Sequence, residues 1–347
     1  MAEVVDIDLH NRKVILKDGE VDYDSLVISA GSSHHYFGNE TWAGIAPGLK
    51  TIEDAIAIRH RVLKAFEIAE WETDPQKRQD MMTFVVVGGG PTGVEIAGAI
   101  AELARSTLKN DFCNIDPPKS KIILVEATDR ILSTFPPKLS NKAHKSLTRL
   151  GVCVMTKTRI TGISDEAVTL EPGNRENVIK TRTILWCAGV KASQLGQVIT
   201  RDCGVQSDRQ GRVLVQPDLS IPGHPEIFVI GDLANFSHQE GKPLPGVATV
   251  AMQEGGYVAR LLKKRFKGKK TVPFHYHHKG DLAVIGRNAA VANIKGFRFS
   301  GILAWFIWVF VHIRFLIEFD NKLLVLTQWA WNYFTRKRGA RLITGDE

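Results

Sequence analysis

Residues 84–87, Phe-Val-Val-Val, form an unbroken apolar run rich in β-branched side chains, the pattern of a parallel strand buried on both faces. From Val94 to Leu108 the apolar spacing becomes helical. Thr51–Trp71 keeps the same rhythm through Ile52, Ala55, Ile56, Val62, Leu63, Phe66 and Ala69, which predicts another helix, and Val250–Phe266 predicts a third. Elsewhere the period is two. Val4–Leu9 and Lys13–Leu16 alternate like meander strands, with Asp18-Gly19 as their turn, and Tyr23–Gly31 reads as a buried strand ending in Ala30-Gly31. The design returns later: Ala167–Leu170, a turn at Pro172-Gly173, then Thr183–Gly189 ending in Ala188-Gly189. Such a repeat predicts two copies of one nucleotide-binding half.

The strongest local signal lies between the 84–87 strand and the helix behind it. Gly88, Gly90 and Gly93 have the G-x-G-x-x-G spacing, with Pro91 and Thr92 inside it. Gly88 suits the tight turn, Gly90 a pyrophosphate close to the backbone, and Gly93 the close packing of helix on strand. The free N–H groups and dipole of the helix start then favour phosphate. Lys121–Glu126 reads as the next strand and ends in a carboxylate suited to the ribose hydroxyls of an adenosine, which favours NAD over NADP. Arg130 lies close enough to weaken that preference, and a solvated strand end is the competing reading of Glu126. Ile227–Asp232 places Gly231-Asp232 at a third strand end, where a carboxylate points into a ligand crevice. Only the second copy of the repeat has its glycine fingerprint, so the chain is expected to begin inside its first domain.

A net charge of +8 is compatible with nucleic acid, anionic lipid or solubility alone. The four cysteines have no C-x-x-C spacing and read as buried reduced thiols of a cytosolic protein. Phe299–Ile313 has no Lys, Arg, Asp or Glu, but it is shorter than the roughly 20 residues of a membrane span, and Arg314 and Glu318 end it. Trp305, Trp308, Phe315, Trp329, Trp331 and Tyr333 suit a headgroup belt, and Arg336, Lys337, Arg338 and Arg341 suit anionic lipid. These features predict two amphipathic helices lying on one leaflet, with a core or dimer helix pair as the competing reading. The basic residues sit beside apolar aromatics without a nucleic-acid-reading motif, which argues against nucleic acid.

The order of Gly88-x-Gly90-x-x-Gly93, Leu124-Val-Glu126, Trp186-Cys-Ala-Gly189, Gly231-Asp232 and Ala251-Met-Gln-Glu-Gly255 resembles the two-dinucleotide-binding flavoproteins. Within them, Lys279–Arg287 and Ser300–Trp305 with Trp308 and His312 are similar to the type II, non-proton-pumping NADH:quinone oxidoreductases. The resemblance implies an α/β chain of tandem Rossmann-like FAD- and NAD-binding domains, the first truncated, followed by amphipathic membrane-associating helices. The implied bounds are 1–80 and 191–268 for the FAD-binding domain, 81–190 for an inserted NADH-binding domain and 269–347 for the membrane-associating end. It further implies FAD and NADH as cofactors, a membrane quinone as partner, a peripheral place on the cytoplasmic side of a membrane, and a possible homodimer.

Carried over by residue, Asp232 holds the ribityl chain of the flavin, with Ala30, Gly31, Gly231 and Ala251 around the cofactor. Glu95 corresponds to a glutamate near the nicotinamide–flavin contact, and Ala188-Gly189 borders the NADH site. Gln253 and Lys279 lie toward the quinone, Lys279 to steady a quinone oxygen or relay a proton. Glu254 departs from the second glutamine of many members, and His278 from an acidic residue. His275, His277 and His278 offer two same-face ligands without a third, which argues against a metal. Disulfide reductases, sulfide:quinone reductases with paired cysteines, and a flavin-free NAD-binding protein without turnover are the competing functions.

Overall fold

The structure, a computed structural model, describes residues 2–173, 176–315 and 319–335. The alternating amino-terminal segment folds as the antiparallel meander β1 (Val4–Asp8), β2 (Lys13–Leu16) and β3 (Gly19–Asp22), followed by β4 (Leu26–Ile28) and β5 (Ser32–His34). Helix α1 (Ile52–Trp71) starts where Thr51 and Asp54 form a reciprocal capping box. Helix α2 (Pro75–Met81) starts under the Asp74 carboxylate, with proline at its first position.

Strand β6 (Thr83–Val87) is buried at every residue, and α3 (Pro91–Glu102) follows the glycine turn. Both ends of α3 differ from the expected 94–108. Proline pre-sets the first turn, so the helix starts at Pro91; beyond Glu102 the winding loosens into a π turn, Leu103–Thr107, in which Leu108 N–H reaches Leu103 C=O at 2.9 Å. Then come β7 (Lys121–Val125), α4 (Pro137–Arg149), β8 (Val152–Met155), the second meander β9 (Thr158–Ser164), β10 (Ala167–Pro172) and β11 (Asn177–Lys180), and β12 (Thr183–Trp186). Strand β13 (Val190–Ala192) and helix α5 (Leu195–Cys203) precede β14 (Val213–Leu214), β15 (Ser220–Ile221), β16 (His224–Val229), β17 (Ala234–Asn235) and α6 (Ala248–Arg265). The chain continues as β18 (Asp281–Gly286), β19 (Ala289–Ile294), β20 (Phe297–Gly301), α7 (Ile302–Phe315) and α8 (Phe319–Thr335).

Residues 1–35 with 190–279 make one compact unit, and 36–189 with 280–347 make another. In the second, β12-β6-β7-β8 is a parallel sheet, its register Thr183 opposite Phe84 and Phe84 opposite Ile122. Alternating residues of β6 feed two cores. Phe84 and Val86 pack with α1, α3 and α4, while Val85 and Val87 pack with Tyr36, Ala46 and Trp186. In the first unit, β4 and β16 pair in parallel, and Ile28, Phe228 and Val229 pack with Val250, Val258 and Leu261 of α6.

Two further expectations are corrected. Phe299–Gly301 belongs to β20, where Phe297 and Phe299 alternate with Arg298 and Ser300, so the apolar helix starts only at Ile302. Cys113 and Cys153 are exposed instead of buried, because Cys113 lies in a loop and Cys153 points outward from β8. Helices α7 and α8 are joined by rings: His312 stacks on Trp308 at 5.0 Å and on Trp329 at 5.3 Å, and the two indoles lie 5.1 Å apart. Trp308 and Trp329 therefore join the two helices to each other. Among the described residues no helix is long and apolar enough to cross a membrane. Glu318 and the basic residues Arg336, Lys337, Arg338 and Arg341 lie outside the described residues, as does the side chain of Tyr333.

Candidate functional site

The glycine turn of 36–189 is built by close contact. Gly88 has φ +106°, a left-handed conformation that L side chains rarely adopt, and its N–H donates to Val125 C=O at 2.8 Å. A Cβ on Gly93 would lie 1.8 Å from the Gly88 carbonyl oxygen, so helix and turn meet only because position 93 has no side chain. Gly90 caps α3 without any side-chain hydrogen bond, leaving Pro91, Thr92 and Gly93 as an uncapped first turn. Helices α1 and α2, by contrast, are capped by their own side chains. A positive-dipole helix start that no side chain covers, reached over a glycine cradle, fits a pyrophosphate.

Glu126 stands beside that turn. One carboxylate oxygen accepts from Gly89 N–H at 2.6 Å and the other from Thr128 N–H at 2.8 Å. Each oxygen has a second lone-pair direction, so the group can hold its own loop and still accept from ribose hydroxyls. Cys187 N–H donates to Val87 C=O at 2.7 Å, which brings Ala188-Gly189 against Gly88. Glu95, on the first turns of α3, is half-buried; burial raises its carboxyl above the usual range, partly offset by Val284 N–H donating to Oε1 at 3.3 Å.

In the unit of 1–35 and 190–279, two turns and a helix start converge. Ala30-Gly31 ends β4 with Gly31 at φ +68°, and Gly231 follows β16 at φ +71°. Ser32 hydroxyl donates to Asp232 Oδ2 at 2.7 Å. A Cβ on Gly246 would lie 3.2 Å from Asp232 Oδ1, and one on Gly231 would touch Ala251 Cβ at 3.4 Å. Helix α6 also begins without a side-chain cap, at Val247. A carboxylate acceptor for hydroxyls beside an open helix start suits a cofactor with a polyol chain and an anionic part.

The structure gives Glu254 a place in this site and adds Gln239, which the sequence reading missed. Glu254 is 1% exposed, and its carboxylate accepts from Gly231 N–H at 2.6 Å. Burial, with the Asp232 charge adding to it, raises its carboxyl to about 7. Gln253 pairs in both directions with the His277 backbone: its Nε2 donates to His277 C=O and its Oε1 accepts from His277 N–H, each at 3.0 Å. Gln239 does the same with Tyr276, at 3.1 and 3.0 Å. The two amides hold an extended segment two residues before Lys279, which is exposed. The departure from a family glutamine at the fourth position of Ala251-Met-Gln-Glu254 hinted at Glu254; nothing in sequence pointed to Gln239.

The expected site residues thus gather in two groups, each within one unit. Gly88, Gly90, Pro91, Thr92, Gly93, Glu95, Glu126, Ala188 and Gly189 belong to one; Ala30, Gly31, Gly231, Asp232, Ala251, Gln253 and Lys279 belong to the other. Cys187 is half-buried, and the loss of hydration pushes its thiol up to about 12, so it remains a thiol at neutral pH.

A family model for pyridine nucleotide-disulphide oxidoreductases matches residues 1–255, and one for the NDH2 C-terminal domain matches residues 278–338. The type II NADH:quinone oxidoreductase Ndh of Mycobacterium tuberculosis is 40% identical over all of this chain and 76% of its own length. That of Staphylococcus haemolyticus is 30% identical, over 86% of this chain and 73% of its own. NDH2 from Plasmodium falciparum, solved in complex with NADH, has the same fold, with a TM-score of 0.87 at 18% identity, over 99% of this chain and 85% of that one.

Proposed function

We infer residue roles from one premise: this chain belongs to the type II NADH:quinone oxidoreductases. It is a flavin-dependent NADH dehydrogenase that passes electrons from NADH to a membrane quinone, with FAD and NADH as its cofactors. The chemistry that FAD supplies when bound is two-electron acceptance from NADH and return of those electrons to the quinone.

The chain supplies position and charge. The uncapped first turn of α3 binds the NADH pyrophosphate, with Gly88, Gly90 and Gly93 allowing its approach and Pro91 and Thr92 presenting the turn. Glu126 orients the adenosine ribose and repels a 2′-phosphate, and Ala188-Gly189 closes the same turn. Asp232, steadied by Ser32, accepts from hydroxyls of the FAD ribityl chain, with Ala30, Gly31, Gly231 and Ala251 as the small residues around it. The start of α6 sets N–H donors against negative charge as it develops. Glu95 presents a half-buried carboxyl whose burial favours the neutral form. Gln253 fixes the segment leading to Lys279, whose ammonium steadies or protonates a quinone oxygen. Helices α7 and α8 lie on the bilayer surface, on the cytoplasmic side, and the chain works there as a peripheral protein that pairs with a second copy.

The observation that carries this reading is that two helix starts, those of α3 and α6, are left without side-chain caps beside a carboxylate at a strand end. The competing sulfide:quinone reading needs a reactive thiolate, and the Cys187 thiol, pushed up to about 12, does not supply one. The test is purified full-length protein loaded with FAD, given NADH and a quinone in vesicles. Quinol should form in step with NADH oxidation. Protein that carries FAD and binds NADH yet reduces no quinone would overturn the assignment.

A further inference from the structure

Helix α4 carries a pattern that nucleotide binding does not use. Leu139, Ala143 and Leu147 are its buried apolar residues, packed with Val152 and Val291 in the core. Lys138, Lys142, Lys145 and Arg149 follow one another at i, i+4, i+7 and i+11, which aligns them in one stripe, and all four are exposed. The helix contains no acidic residue, and none of the four cations forms an ion pair with a described residue. Lys138 lies in the first turn, where the helix dipole repels a cation. Helix stability therefore does not account for the stripe.

The stripe leads toward an apolar surface. Lys142 Nζ donates to Ser300 Oγ at 2.8 Å, across 158 residues of chain. Ser300 lies on β20, the outer strand of the sheet β18-β19-β20, and β20 runs into α7 without a loop. Around that strand Lys295 and Arg298 are exposed, and Phe297 is 72% exposed. Helix α7 then exposes Ile302, Leu303, Phe306 and Phe310, the last at 72%. Uncompensated cations beside a run of exposed large apolar side chains match an anionic bilayer in charge and in polarity.

We propose that α4 is a second membrane contact, its four cations engaging anionic lipid headgroups while the exposed side chains of β20 and α7 enter the acyl boundary. The inference rests on the lipid-facing role given above to α7. It goes further by tying the nucleotide-binding sheet itself to the bilayer, through a helix far from the carboxyl end in sequence. A cation held near an anionic surface is worth roughly fivefold in partition, and that attraction weakens as salt shortens the Debye length.

The experiment compares sedimentation of the full-length holoenzyme with vesicles of phosphatidylcholine alone and with phosphatidylglycerol added in equal part. The variant carries Lys138→Gln, Lys142→Gln, Lys145→Gln and Arg149→Gln. Its affinity for the anionic vesicles should fall at least about tenfold and lose much of its salt dependence. Its binding to neutral vesicles, its flavin content and its NADH oxidation with a water-soluble quinone should stay unchanged. If the fourfold variant fails to fold, the pair Lys138→Gln and Arg149→Gln should still lower anionic-vesicle affinity by about fivefold or more. Wild-type binding to neutral vesicles with unaltered variant affinity for anionic ones would overturn this proposal alone. Wild-type failure to bind either vesicle would overturn it together with the role of α7.

Discussion

The stretches Val4–Gly31 and Thr158–Gly189 run the same course, each a three-stranded antiparallel meander followed by a strand that pairs in parallel and turns at Ala-Gly. The closing glycines are both left-handed, Gly31 at φ +68° and Gly189 at +71°. The surroundings differ. Strand β12 is buried at all four residues, with Tyr36 stacked on Trp186 at 5.1 Å and Trp42 tilted against it at 5.7 Å, whereas β4 leaves Val27 40% exposed. Their neighbouring carboxylates differ too. Glu126 is held by backbone N–H groups, Asp232 by a serine hydroxyl, with the buried Glu254 on the N–H of the preceding Gly231. An acid tied to the backbone is part of its loop's scaffold. One tied to a hydroxyl can exchange that partner for the hydroxyls of a ligand, and its environment includes a second acid that titrates.

The comparison can be broken most severely at Gly93. A methyl group there meets the Gly88 carbonyl, which cannot step aside, so Gly93→Ala should lower NADH oxidation at least about 100-fold while flavin absorbance of the purified protein persists. Equal loss of flavin would show that the two nucleotide sites are not independent. A smaller effect is expected at Glu254. Its folded value, about 7, exceeds the ordinary carboxyl value of 4.5. Its neutral form therefore stabilises the fold fully below about pH 4.5, and that contribution is lost as pH rises toward 7. Glu254→Gln keeps an acceptor for Gly231 N–H and removes the titration, so it should gain about 2 kcal/mol at pH 8 over the wild type and little at pH 4. Melting curves at the two pH values measure this. The smallest effect is at Glu126: Glu126→Gln should narrow the preference for NADH over NADPH by about tenfold in kcat/KM, since only the repulsion of a 2′-phosphate is removed.

What could be read from sequence was local or periodic. The 84–98 stretch announces strand, turn and helix because each uses adjacent residues, and the repeat shows because alternation recurs before two Ala-Gly pairs. Lys279 and Gln253 came from family resemblance, and their neighbourhood from the structure alone. The bonds Glu254–Gly231, Gln239–Tyr276 and Gln253–His277 join side chain to backbone over 23 to 37 residues, and such bonds leave no period in the chain. The start of α7 was misplaced because an apolar count cannot see the alternation that makes 297–301 a strand. Nor does composition tell a lipid-facing indole from one stacked on its neighbour, as Trp308 is on Trp329.

Residues 274–278 are extended yet belong to no sheet, and two glutamines take the place of a neighbouring strand. A strand seated in a sheet is released only by tearing a cooperative ladder. Here the fastening is made of unlike parts: two amides that each give and take, the Phe274 N–H donating to Pro217 C=O at 2.8 Å, and the buried rings of Phe274 and Tyr276. The course of the backbone leading to Lys279 is thus dictated by side chains from elsewhere in the same unit, so a single amide substitution can redirect it without breaking any sheet.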